Sequence, residues 1–155
     1  MNNIVTSFLF AVIFCILLQG CFKAKKNNRV LAKEEIIKTD ETFSNMSRQQ
    51  GMKKAFLEFI DNEGILLRPG HLPIIGADAI DFLSQTNDTS YTLTWKPHAA
   101  EASSSGDLGF TYGVYSLILP DTILSGTYVS IWKKQNDGKW KFILDTGNEG
   151  IESFK

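Results

Sequence analysis

Hydrophobic and polar positions alternate with period two along three stretches in the second half of the chain: Asp107 to Ile118, Gly126 to Lys133 and Trp140 to Asp145. All three are rich in aromatic and β-branched residues, and Asp137-Gly138 between the last two is a strong hairpin signal, so they read as consecutive antiparallel strands. In the first of them Gly109 and Gly113 share a face with Thr111 and Tyr115. Glycines at that spacing leave room for bulky neighbours on adjacent strands and predict that the sheet curves there. An earlier run puts Tyr91, Leu93 and Trp95 on one face; Pro97 interrupts it, and His98 to Ala102 resumes it.

The first half has helical spacing instead. Ile36, Asp40, Phe43 and Ser47 form one row, with Ile37 and Met46 alongside, in a helix expected from about Ala32 to Ser47. Arg48-Gln49-Gln50-Gly51 breaks it, and Met52, Ala55, Phe56, Phe59 and Ile60 mark a second helix, which Asp61-Asn62-Glu63-Gly64 should end with Gly64 as a left-handed cap. A strand from Ile65 to Arg68, the Pro69-Gly70 turn and a short edge strand at Leu72 to Ile75 follow, then a short helix from Gly76 to Leu83. This order predicts an α+β class, a cone-shaped fold in which a curved antiparallel sheet packs against about three N-terminal helices and stays open at its wide end.

The N-terminus changes the picture of where the chain resides. Ile4 to Leu18 is an almost unbroken apolar run, short for a membrane span and suited to the core of a secretory signal. Leu18-Gln19-Gly20-Cys21 resembles the bacterial lipobox, in which a small residue precedes a cysteine that is lipidated and becomes the new first residue. Residues 1–20 therefore read as a lipoprotein signal peptide, 21–33 as the lipidated Cys21 with a basic tether, and 34–155 as the folded domain. Removing the signal also removes Cys15, leaves Cys21 as the single thiol, and excludes an internal disulfide. Palmitate-type acyl chains on one residue would anchor it durably, each buried methylene contributing about 0.8 kcal/mol.

Lys23, Lys25, Lys26, Arg29 and Lys33 stand in the tether with no acid among them. They suit anionic headgroups, or simply solvent. Without them the body keeps 11 basic residues against 17 acidic, a net charge of −6. That surface lacks the basic excess needed for nucleic-acid binding, so no nucleic acid is expected as a partner. The reading gives a bacterial envelope protein, lipid-anchored and facing the periplasm or the exterior.

With the order of elements, four segments carry a family resemblance: Asp61 to Gly70, Pro73 to Ile80, Ser105 to Gly113 and Gly126 to Lys141. Together they resemble the nuclear transport factor 2-like superfamily over roughly Glu34 to Asp145, and within it the SnoaL-like domains often found in exported bacterial proteins. The resemblance implies the cone fold and leaves activity open, because the superfamily includes isomerases, cyclases, dehydratases, transport adaptors and binding modules. In its ketosteroid isomerase branch one carboxylate moves a proton while a tyrosine and a protonated carboxylic acid stabilise the oxyanion. Asp40, Asp107 and Asp145, with Tyr112 and Tyr128, are the corresponding residue types here, but no motif aligns with that branch residue by residue.

The candidate ligand-binding residues are Asp40, Trp95, Tyr112, Tyr128, Trp132 and Asp145, and the catalytic candidates are Asp40, Asp107 and Asp145. Each acid also has a plain structural reading. Asp40 can bind a loop amide or an arginine at the edge of its helical stripe, while Asp107 and Asp145 can cap turns. His71 and His98 have no cysteine or carboxylate at ligand spacing, so no metal or cofactor is implied. The favoured reading is a membrane-anchored module whose cone holds a small apolar ligand. The alternatives are a proton-transfer enzyme of isomerase or cyclase type and an envelope interaction module. Folds of this kind often pair through the exposed sheet face, which makes a homodimer a further expectation.

Overall fold

The computed structural model describes residues 28–151; Cys21 and the apolar run from Ile4 to Leu18, which carry the predicted signal and anchor, lie outside the described residues. Among the described residues no helix is long and apolar enough to cross a membrane. Helix α1 covers 28–50 and stops where Gly51 takes φ 94°, a conformation that favours glycine. Residues 28–33, assigned from sequence to the tether, are therefore already helical, and Arg29 and Lys33 pair with Glu101 at 2.6 and 2.9 Å. Helix α2 (Met52–Phe59) has no side-chain cap of its own at Gly51. Asp88 supplies one from a distant loop, accepting a bond from the Lys53 N–H at 2.8 Å.

Strands β1 (Ile60–Leu67) and β2 (Ile74–Ile75), helix α3 (Ala77–Gln85), and strands β3 (Thr92–Ala102), β4 (Leu108–Ile118), β5 (Ile123–Lys134) and β6 (Trp140–Glu149) complete the chain. The six strands form one sheet in the order β2-β1-β6-β5-β4-β3. Two expectations change. Asp61 to Gly64 does not cap α2: strand β1 begins at Ile60, and Gly64 lies in an irregular stretch of its pairing with β6, against the Ile60 side chain. The sheet is also mixed, because β1 runs parallel to β6 while every other pair is antiparallel.

The predicted curvature is present, and its cause is local. On β4, Gly109, Thr111 and Gly113 are buried while Leu108, Phe110, Tyr112 and Val114 are exposed. A Cβ at Gly113 would collide with the Lys96 carbonyl and crowd the Tyr128 ring; one at Gly109 would meet Ile36 and the Glu101 carbonyl. Only glycine lets the strands close this tightly over α1. A bulge between Pro97 and Ala99 adds to the bend. Phe43 of α1 fills the centre, its ring 4.5 Å from Trp95, 4.7 Å from Phe56 and 5.6 Å from Phe142. Because β3 is an edge strand, its free backbone groups need partners. Ser44 takes both the N–H and the carbonyl of Trp95, and Ser47 donates to the Leu93 carbonyl. These bonds fix Trp95 against α1 beside Asp40.

Candidate functional site

Asp40 lies one turn before Ser44 on the same side of α1 and is fully buried. Both of its oxygens are occupied: Trp95 Nε1 donates to Oδ1 at 2.7 Å and Tyr128 Oη donates to Oδ2 at 2.7 Å. Burial pushes its carboxyl up to about 6, against the opposing pull of those donors and of the neighbouring Thr111. Tyr128 is likewise held in its neutral form, first by burial and then by the adjacent Asp40 charge. The partner that the sequence required for Asp40 is thus a pair of aromatic donors, not an arginine or a loop amide.

A second polar cluster forms where β1 and β6 end side by side. Their parallel register sets Leu66 against Asp145, which brings Arg68 alongside. Arg68 Nη2 donates to Asp145 Oδ1 at 2.7 Å, Arg68 Nη1 donates to the Asp145 carbonyl at 3.1 Å, and the Ser130 hydroxyl donates to Asp145 Oδ2 at 2.7 Å. The guanidinium also sits 5.7 Å from the Phe56 ring centre. Asp145 does not cap the sheet's end, because β6 continues through Thr146 and Gly147 to Glu149.

Between these clusters the wide end of the sheet and helices α2 and α3 enclose a hollow of about 360 Å³. Six aromatic side chains line it: Phe56, Phe82, Tyr91, Trp95, Tyr115 and Tyr128. Arg68, Asp145 and Glu149 supply its charges, one positive and two negative. Asp40 stands directly behind the wall, reached through Trp95 and Tyr128.

Solved structures with a similar fold include a nuclear transport factor 2-like superfamily protein from Salmonella enterica serovar Typhimurium, with 13% identity over 81% of this chain and 95% of that one and a TM-score of 0.60. A ketosteroid isomerase-like protein from Erwinia carotovora atroseptica gives a TM-score of 0.59 at 11% identity, covering 75% and 95%. The chain has the nuclear transport factor 2-like fold. An LEH-like epoxide hydrolase from M. tuberculosis matches at a TM-score of 0.54 with 17% identity, over 76% of this chain and 84% of that one. No protein-family model matches the sequence, and no curated protein matches it.

Within this fold the sequence candidates separate cleanly. Trp95, Tyr128 and Asp145 line the hollow and Asp40 backs it. Tyr112 does not belong there: it is 43% exposed on the outer face, across from Val129, because it has the opposite strand parity from Thr111 and Gly113. Trp132 shares the face of Tyr128 but lies four residues, about 13 Å, further along β5, where it is fully buried and donates to Thr111 Oγ1 at 2.9 Å. Asp107 is a turn residue, accepting bonds from the hydroxyls of Ser103 and Ser105. Tyr115, Tyr91 and Arg68 also line the hollow and are not among the sequence candidates. Period two already sets Tyr115 beside Thr111 and Tyr91 beside Trp95, but Arg68 carries no such signal because its place depends on the register between β1 and β6.

Proposed function

We propose that the chain is a lipid-anchored binding module whose hollow takes a small, mostly apolar molecule. One observation carries this reading: an aromatic-lined cavity of about 360 Å³, open at one end and furnished with a few fixed polar groups. The resemblance of Leu18-Gln19-Gly20-Cys21 to a lipobox motivates the anchor. Of the three tryptophans only Trp95 lines the hollow; Trp132 and Trp140 are buried elsewhere in the core. Ligand binding should therefore quench the fluorescence of the full chain and raise its Tm across a panel of apolar metabolites, and Trp95→Phe should remove the quench while keeping the Tm rise. A uniformly negative panel on folded protein would reject the module. Labelling with radioactive palmitate should mark the wild type and not Cys21→Ser; a wild type that takes up no label would reject the anchor.

A second reading, a proton-transfer enzyme, draws on the buried Asp40 beside a tyrosine hydroxyl and on the ketosteroid isomerase-like protein and the epoxide hydrolase among the structural neighbours. The geometry favours binding over it. Asp40 accepts two strong bonds and does not itself line the cavity, while Asp145 is tied up by Arg68 and Ser130. Every oxygen of both acids already accepts a hydrogen bond from a fixed donor, so neither carboxylate is unencumbered as a general base needs to be.

A further inference from the structure

The hollow's two most deeply buried polar linings are Tyr128 and Asp145, 9% and 7% exposed. A phenol has one proton and two lone pairs. In Tyr128 that proton is directed at Asp40 Oδ2, so the oxygen has only its acceptor side left for anything in the cavity. The indole N–H of Trp95 is turned the same way, into Asp40 Oδ1, and offers the cavity an apolar ring. Asp145, held by Arg68 and Ser130, is an acceptor as well. Asp40 thus acts as a positioning residue, drawing two donors out of the cavity and leaving its inner wall rich in acceptors. Turning the Tyr128 proton toward a ligand would strip a fully buried carboxylate of one of its donors, which is strongly unfavourable.

We infer that the inner end of the hollow recognises a hydrogen-bond donor, so that the ligand is an apolar molecule presenting a hydroxyl or an amine to Tyr128 and not a carbonyl. This rests on the binding reading above and specifies its ligand. Arg68 spends three N–H bonds on Asp145 and Leu67, and its remaining N–H groups, with the hydroxyls of Tyr91 and Tyr115, can serve either kind of group elsewhere on the wall. An ammonium would gain from Asp145, Glu149 and the aromatic faces, and would be opposed by Arg68.

Three probes with one carbon skeleton separate these cases: 4-cyclohexylcyclohexanol, 4-cyclohexylcyclohexanone and 4-cyclohexylcyclohexylamine. They are titrated calorimetrically at pH 8 into the detergent-solubilised full chain, with a micelle-only titration subtracted. The alcohol should bind about tenfold more tightly than the ketone, the effect of leaving one buried acceptor without a donor. Comparing amine with alcohol tells whether the donor is cationic or neutral. Tyr128→Phe should level alcohol and ketone. Asp40→Asn should move the preference toward the ketone, because an amide that keeps its oxygen on Trp95 gives its N–H₂ to Tyr128 and frees the phenol proton. A ketone that binds the wild type as tightly as the alcohol, or a preference that survives Tyr128→Phe, would overturn the donor rule while leaving the binding module standing. Failure of all three probes to bind would overturn both.

Discussion

Replacing Asp40 by asparagine should change how stability depends on pH more than it changes stability itself. Unfolded, the carboxyl titrates near 3.8; in the folded protein burial raises it to about 6. Between those values the folded state holds a proton that the unfolded state has released, so this group favours folding below the lower value and loses that contribution as pH rises through the upper one. At 1.36 kcal/mol for each pH interval, the gap corresponds to about 3 kcal/mol. Asparagine keeps an oxygen for Trp95 and has no charge to desolvate. Urea unfolding of wild type and Asp40→Asn at half-unit steps from pH 3.5 to 7.5 should therefore show the wild type losing ~3 kcal/mol relative to the variant, most of it between pH 4 and 6.5. Glu35, Glu101 and Asp107 act in the opposite sense, their carboxyls held low by Lys134, by Lys33 and by Ser105 respectively. They are common to both proteins and cancel in the difference. A wild-type-minus-variant difference that stays level across this range would refute the claim that Asp40 is buried at the expense of its charge.

Asp40→Ala should be worse than Asp40→Asn at every pH, by about 2 kcal/mol or more, because the Trp95 N–H and the Tyr128 hydroxyl both lose their acceptor; urea midpoints measure it. Gly113→Ala should destabilise by roughly 1–3 kcal/mol, since its methyl would be forced against the Lys96 carbonyl and the Tyr128 ring, and the same assay applies. Tyr112→Glu should leave the urea midpoint almost unchanged, as expected for a side chain 43% exposed on the outer sheet face. If two copies pair through that face, the same variant will run as a monomer in light scattering where the wild type runs as a dimer.

What the sequence disclosed, and what it concealed, divides along the range of the interactions. The helix break at Gly51, the turn at Gly138 with φ 85° and the curvature at Gly109 and Gly113 all depend on local backbone demands, and local pattern revealed each of them. Strand parity was equally informative. It placed Tyr115 on the face of Thr111 and Tyr112 on the other, so including Tyr112 among the pocket residues ran against the chain's own alternation. The direction of β1 relative to β6 was hidden because burial of Ile60, Gly64 and Leu66 is the same whether their neighbour runs parallel or antiparallel. Arg68 and Asp145 meet only through that register, 77 residues apart. Asp40 is the intermediate case: helical spacing said that a carboxylate faced inward and needed partners. The partners were two aromatic residues 55 and 88 positions away, brought together by the curvature that two glycines permit. The chemistry of the hollow is therefore a product of that curvature. A flatter β4 would move Tyr128 away from Asp40, and its phenol proton would then be free to face the cavity.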